Sequence, residues 1–228
     1  MNLWPLFESV MYRGLRALTL SRVDVVDEGG VEALLSGRPV LIAANHQSHA
    51  DTPVLFGALP GNCRKRTRVV SGNARFSSEG GEEPLFRRIE RWFLHGLACH
   101  AYRAILVSGG TAGPRSIERL VAALAEGDCV AIYPEGTRSR TGALGPLKPG
   151  VAMVAAAARC PVVPVRIDGM LDALPKSALR VRFRSHAVVR FRTPLALGPD
   201  ETPEEFLERL ARALSHGPAP AEPRKVTA

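Results

Sequence analysis

Aromatic residues are scarce, at 6% of the 228 residues, and the basic side chains are not interleaved with Phe, Tyr or Trp. A base-stacking surface needs that interleaving, so the sequence argues against nucleic acid as a partner. Cys63, Cys99, Cys129 and Cys160 are widely separated and form no CxxC pair. That pattern speaks against a zinc site and a disulfide framework and leaves reduced core thiols. No apolar run approaches the ~20 residues needed to span a bilayer. Residues 1–22 also lack the ordering of a secretory signal with a small-residue cleavage site, so a cytoplasmic protein is expected. There is no internal repeat and no GxSxG elbow, so no serine setting of that kind offers a nucleophile.

Hydrophobic residues make up 46% of the chain and charged residues 23%, the balance of a folded globular protein with one sizeable core. Lys plus Arg number 30 against 22 for Asp plus Glu, a formal +8, which favours anionic partners such as acidic lipid headgroups or phosphorylated substrates. Within residues 1–22, Leu3, Trp4, Leu6, Phe7, Val10, Met11, Leu15, Leu18 and Leu20 fall at helix-like spacing among Arg13, Arg16 and Arg22. This reads as an amphipathic helix lying in a lipid interface, although a helix packed on the core fits the same pattern. The expected organisation is that helix at 1–22, a single domain at 23–216 and a Pro- and Ala-rich disordered tail at 217–228.

Apolar runs predict strands at 39–45, 68–71, 104–107, 129–133, 162–167 and 188–191. Helical patterns predict helices at 84–96, 115–126, 149–158 and 203–215, the second stopping at Gly127. Residues 75–83, around Gly80 and Gly81, read as a surface loop. Strands alternating with helices predict an α/β domain with a central sheet flanked by helices.

The first motif, NHQSHAD at 45–51, directly follows a buried strand. Five steps along a helix turn a side chain to about 140° from its start, so His46 and Asp51 meet only if His46 lies in the turn before the helix. If they meet, Asp51 accepts the proton of one imidazole nitrogen and leaves the other free as a base. The competing reading makes Asp51 or Thr52 the N-cap of a helix opening at Pro53, with His46 a satisfied loop residue. His49 is the local rival base. With Ser48 in no recognisable nucleophile setting, a substrate hydroxyl is the better nucleophile.

The second motif, IYPEGTRSRTG at 132–142, also follows an apolar strand. Gly136 permits close backbone approach, Arg138 suits a bidentate grip on phosphate, and Thr137 or Ser139 supplies further donors. An exposed hairpin turn is the plainer alternative. Downstream, KPG at 148–150 precedes a helix of small residues, and Pro164 inside the run 162–167 argues for an edge or irregular strand near a site.

NHxSxxD at 45–51, PEGTRS at 134–139, then KPG and VPV together resemble the lysophospholipid, or acylglycerol-phosphate, acyltransferase family over residues 40–169. The resemblance implies the glycerolipid acyltransferase fold, with a mostly parallel or mixed sheet. It implies His46 as the base that deprotonates an acceptor hydroxyl, Asp51 as its support, and direct attack on an acyl-CoA or acyl-carrier-protein thioester. No metal, no cofactor and no covalent acyl-enzyme are implied. By the same resemblance Glu135, Gly136, Thr137 and Arg138 bind the acceptor, and Val163 and Pro164 line or support an acyl channel. A place at the cytoplasmic face of a membrane follows, with lipids met through the basic surface and the N-terminal helix. The family's arginine between the two motifs is replaced by Ser108 and Gly109. That departure points to an acceptor other than lysophosphatidic acid, or to Arg103 or Arg115 as substitutes. Thioester hydrolysis by the same histidine and an inactive lipid-binding protein remain as alternatives.

Overall fold

The computed structural model describes residues 22–48, 50–72, 102–107, 113–171, 186–215 and 224–225. The elements in chain order are β1 (Arg22–Glu28), α1 (Val31–Leu35), β2 (Leu41–Ala44), α2 (Asp51–Ala58), α3 (Gly61–Arg66), β3 (Thr67–Gly72), β4 (Ile105–Val107), α4 (Pro114–Ala125), β5 (Cys129–Ile132), α5 (Gly150–Ala158), β6 (Val162–Asp168), β7 (His186–Arg192), α6 (Pro203–Leu214) and β8 (Arg224–Lys225). Of the helix expected at 1–22, residues 1–21 lie outside the described residues, and Arg22 is not helical but opens β1. The helix expected at 84–96 and the loop at 75–83 lie outside them, as do His49, Cys99, Ser108 and Gly109.

Among the described residues, eight strands form one sheet in the order β4-β3-β5-β2-β6-β7-β1-β8. The pairs from β4 through β6, and β1 with β7, are parallel, whereas β6–β7 and β1–β8 are antiparallel. A mixed α/β sheet flanked by helices is therefore present. Its central strands β2 and β5 are buried along their whole length, as continuous apolar runs require when helices cover both faces.

Successive side chains of β2 divide between two cores. Ile42 and Ala44 pack with Leu34, Leu55, Phe56, Val165 and Phe191 on the α1–α3 side. Leu41 and Ala43 pack with Leu120, Val151, Val154, Phe206 and Leu210 on the α4–α6 side. The helices present matching stripes: Phe206, Leu210 and Leu214 are fully buried at four-residue spacing on α6, one face of a 3.6-residue period. Thr202 and Glu205 close the start of α6 with a reciprocal capping box. At the other end of α4, Gly127 (φ 91°) donates to Leu124 O and Asp128 to Ala123 O. This paired αL termination explains the stop expected at Gly127.

Several features add to or depart from expectation, among them the short helices α1 and α3, which were not expected. β1 was not foreseen; its acids are matched across the sheet, Asp24 by His186 at 2.9 Å and Glu28 by Arg192. Of the two alternatives open for Pro164, the edge is excluded, since β6 is interior, and the irregular strand holds. The proline's missing N–H is tolerated because pairing toward β7 is broken there, between the Val162–Leu195 bridge and the Val165–Phe191 pair. Within the tail read as disordered, Arg224 and Lys225 pair with Asp27 and Val26 of β1. Cys63 and Cys129, distant in sequence, are free buried thiols with sulfurs 3.8 Å apart. No helix among the described residues is long and apolar enough to cross a membrane.

Candidate active site

Parallel pairing places the carboxyl ends of β2, β5 and β6 side by side, and the two motifs of the sequence leave from the first two of these ends. The Asn45 side chain bridges β2 to β6, accepting from Ile167 N at 2.7 Å and donating to Ile167 O at 2.9 Å. That amide fixes the point at which the chain leaves the sheet.

His46 follows in the turn before α2, and its Nδ1 lies 2.8 Å from Asp51 Oδ2. The same oxygen accepts the Gln47 and Ser48 N–H groups at 2.6 and 2.7 Å. Helix α2 opens at Asp51 and not at Pro53, with Ala50 as N-cap and no side-chain cap. Pro53 is accommodated because N–H groups in a first turn have no intrahelical acceptor. Asp51 thus does not cap its own helix; it collects the donors of the preceding turn and holds the histidine against them. A carboxylate only accepts, so Nδ1 is the donor of this contact, and in the neutral imidazole that tautomer puts the lone pair on Nε2. Asp51 is fully buried and His46 is 8% exposed, which keeps water from competing for their contact.

Tyr133, at the end of β5, stacks on the imidazole with centroids 4.1 Å apart and planes 20° apart. Its hydroxyl is 2.9 Å from Thr52 Oγ1. Burial, and secondarily the charge of Asp51, hold that phenol well above its ordinary range, so it is a neutral packing and hydrogen-bonding group. The sequence reading took Tyr133 only as a strand end and missed this contact. An aromatic directly before the PEGTR loop was the available signal.

The second motif wraps the first. His46 N donates to Glu135 Oε1 at 2.8 Å, and Ser139 N donates to His46 O at 2.7 Å. Gln47 Nε2 donates to Gly142 O at 3.1 Å. Gly136 and Thr137 are exposed at the tip, whereas Arg138 is buried. Gly136 has φ 67°, and a Cβ there would fall 2.7 Å from Lys148 Cε and Nζ; the lysine of KPG lies across the tip. Ser139 Oγ accepts from Gly142 N at 3.0 Å, a bond that closes its own turn. Val163 and Pro164, opposite Ile42 and Ala43 inside β6, are set within the sheet and not at these loops. A cavity of about 580 Å³ opens beside Gln47, walled also by Gly142, Leu144, Arg166, Asp168 and Leu171.

Of the two substitutes for the missing arginine, Arg103 is committed elsewhere. It precedes β4, at the amino end of the sheet, and binds both oxygens of Asp128 at 3.1 and 3.2 Å. Arg115, exposed in the first turn of α4, stands at the same end of the sheet as His46. Among the described residues no cluster of His, Cys, Asp and Glu is suited to hold a metal ion.

Comparison with known proteins accords with this arrangement. The Acyltransferase family model matches residues 25–168. The mouse 1-acyl-sn-glycerol-3-phosphate acyltransferase alpha is 27% identical over 175 residues, covering 73% of this chain and 54% of its own length. The human protein of the same name is 27% identical over 187 residues, covering 78% and 58%. The chain thus spans little more than half the length of these curated relatives. The crystal structure of the 1-acyl-sn-glycerophosphate (LPA) acyltransferase PlsC from Thermotoga maritima shares the fold. Its TM-score is 0.65 at 21% identity, over 93% of this chain and 77% of that one. The chain belongs to the acyltransferase family, whose model it matches over more than half of its length.

Proposed function

We propose that this protein transfers a fatty acyl group from an acyl-CoA or acyl-carrier-protein thioester to the hydroxyl of a lysophospholipid or related lipid acceptor. The observation that carries the reading is the 2.8 Å contact of His46 Nδ1 with a fully buried Asp51. In the neutral imidazole it leaves the lone pair on Nε2, and the second motif that holds the His46 backbone carries an exposed glycine and threonine with a lysine across them.

His46 Nε2 takes the proton of the acceptor hydroxyl as the oxygen attacks the thioester carbonyl carbon. The resulting imidazolium is stabilised by Asp51. Collapse of the tetrahedral intermediate breaks the C–S bond, and the departing thiolate recovers the proton from the imidazolium. The bookkeeping closes without a covalent acyl-enzyme: one C–O bond forms, one C–S bond breaks and one proton moves from oxygen to sulfur.

Gly136, Thr137 and Arg138 are proposed to receive the polar end of the acceptor, with Lys148 and Arg115 supplying positive charge where Ser108 and Gly109 replace the family's arginine. Pro164 and Val163 are proposed to support the acyl chain from within β6. The lipid nature of both substrates and the +8 charge support a place at a membrane surface, with the apolar and basic residues 1–22 in contact with it.

A panel of lysolipids assayed with acyl-CoA and acyl-carrier-protein donors tests this. Acylated lipid whose formation depends on both substrates is expected. Free fatty acid formed equally well without lysolipid would show a thioesterase, and no thioester turnover would show a lipid-binding protein.

A further inference from the structure

We infer that Glu135 is a positioning residue that acts through the backbone of His46, and not a ligand of the acceptor. The inference rests on the reading of His46 as the base.

Both carboxylate oxygens of Glu135 already serve main-chain donors from two segments. Oε1 accepts His46 N at 2.8 Å and Oε2 accepts Gly145 N at 2.9 Å. The residue is 5% exposed, so its carboxylate is turned into the protein. The loop that follows is closed on itself by Lys148 N donating to Pro134 O at 2.8 Å, and Glu135 spans the interior of that closed loop. Its neighbours Gly136 and Thr137 are exposed to solvent. A carboxylate facing a phosphate-bearing acceptor would repel it, whereas one facing two N–H groups forms charge-assisted bonds that fix both.

The carboxylate therefore sets the height of His46 above the end of β2. With Ser139 N bonded to His46 O at 2.7 Å, both main-chain polar groups of the base are held by the second motif. Asp51 fixes the imidazole from the opposite side. The spacing of NHxSxxD and PEGTRS then has a mechanical reason: the second motif is the clamp of the first. Gly145 fits the same device, since a Cβ there would lie 3.2 Å from Glu135 Oε2.

Two substitutions test the assignment, with the full chain and whichever lysolipid of the panel it acylates fastest. Glu135→Gln retains the size of the side chain but sets an amide N–H₂ against one of the two N–H groups, displacing His46. A misplaced catalytic group costs about 10²-fold, so kcat is expected to fall by about that factor. The KM values for donor and acceptor, and the acceptor Kd measured by calorimetry, are expected to stay within about twofold, well short of the tenfold that 1.4 kcal/mol of lost binding would give. Gly145→Ala presses on the same carboxylate without touching His46 or the acceptor, and a smaller fall in kcat with the same split is expected; this variant carries the test if Glu135→Gln fails to fold. In a His46→Ala background, Glu135→Gln should cost nothing further. A raised acceptor KM or Kd with kcat preserved would overturn the assignment, as would unchanged kinetics in both variants. Full activity of His46→Ala alone would instead remove the base on which it rests.

Discussion

Replacing Asp51 by Asn isolates the charge of the pair from its shape. Asp51 Oδ2 receives His46 Nδ1, Gln47 N and Ser48 N at 2.8, 2.6 and 2.7 Å. An amide oxygen in the same place can still accept all three, so the turn from residue 46 to 48 should hold its form. What disappears is the negative charge opposite the imidazole at the moment it takes a proton. General-base assistance of this kind contributes about 10²–10⁴-fold, which is ~3–5 kcal/mol of barrier. The loss should fall on kcat, because Asp51 is fully buried and does not face the acceptor. Asp51 Oδ1 has no hydrogen-bond partner among the described residues, so the new NH₂ would be buried unpaired at about 1–3 kcal/mol. The melting temperature should consequently drop by several degrees without loss of the fold. The assay is thiol release from acyl-CoA with the acylated lipid quantified by mass spectrometry, alongside thermal denaturation. A folded Asp51→Asn protein with kcat within threefold of the parent would refute the reasoning.

Two further outcomes are expected. Asn45→Ala removes the amide that pairs with both main-chain groups of Ile167; buried polar groups left unpaired cost about 1–3 kcal/mol each, so stability and kcat should fall together, measured by denaturant unfolding and initial rates. Deleting residues 1–21, which stops short of β1, should reduce sedimentation with anionic liposomes at low salt and diminish its salt dependence; unchanged binding would remove that segment from the membrane contact.

The sequence disclosed those parts of the fold whose cause is local. β2, β5 and β6 are short apolar runs, and α4 and α6 carry a periodic stripe with Gly127 or a capping box at one end. β1 was hidden because Asp24, Asp27 and Glu28 interrupt its apolar residues, and the partners of Asp24 and Glu28, His186 and Arg192, lie more than 160 residues away. Pro164 left an edge and an irregular strand both open because a proline announces only a missing donor; the break in the β7 ladder that tolerates it depends on the register of a distant strand.

At the site, the spacing of His46 and Asp51 left capping and pairing equally open. The fold decides between them through the Gln47 and Ser48 N–H groups, which draw the carboxylate back toward the turn. The identity of the second motif was plain in PEGTRS, yet the direction of Glu135 was not, since it depends on Lys148 closing the loop and on Gly145 meeting the carboxylate from inside. Tyr133 is a similar case: its stacking on His46 follows from the adjacency of β2 and β5 in the sheet, which neither segment specifies alone.

The most direct test of His46 as the base is the rate of acylated-lipid formation by a purified His46→Ala protein, with folding and liposome binding measured on the same sample. Loss of transfer by at least ~10²-fold with both other properties retained is the expected result. Transfer at the parent rate by that folded protein would contradict it.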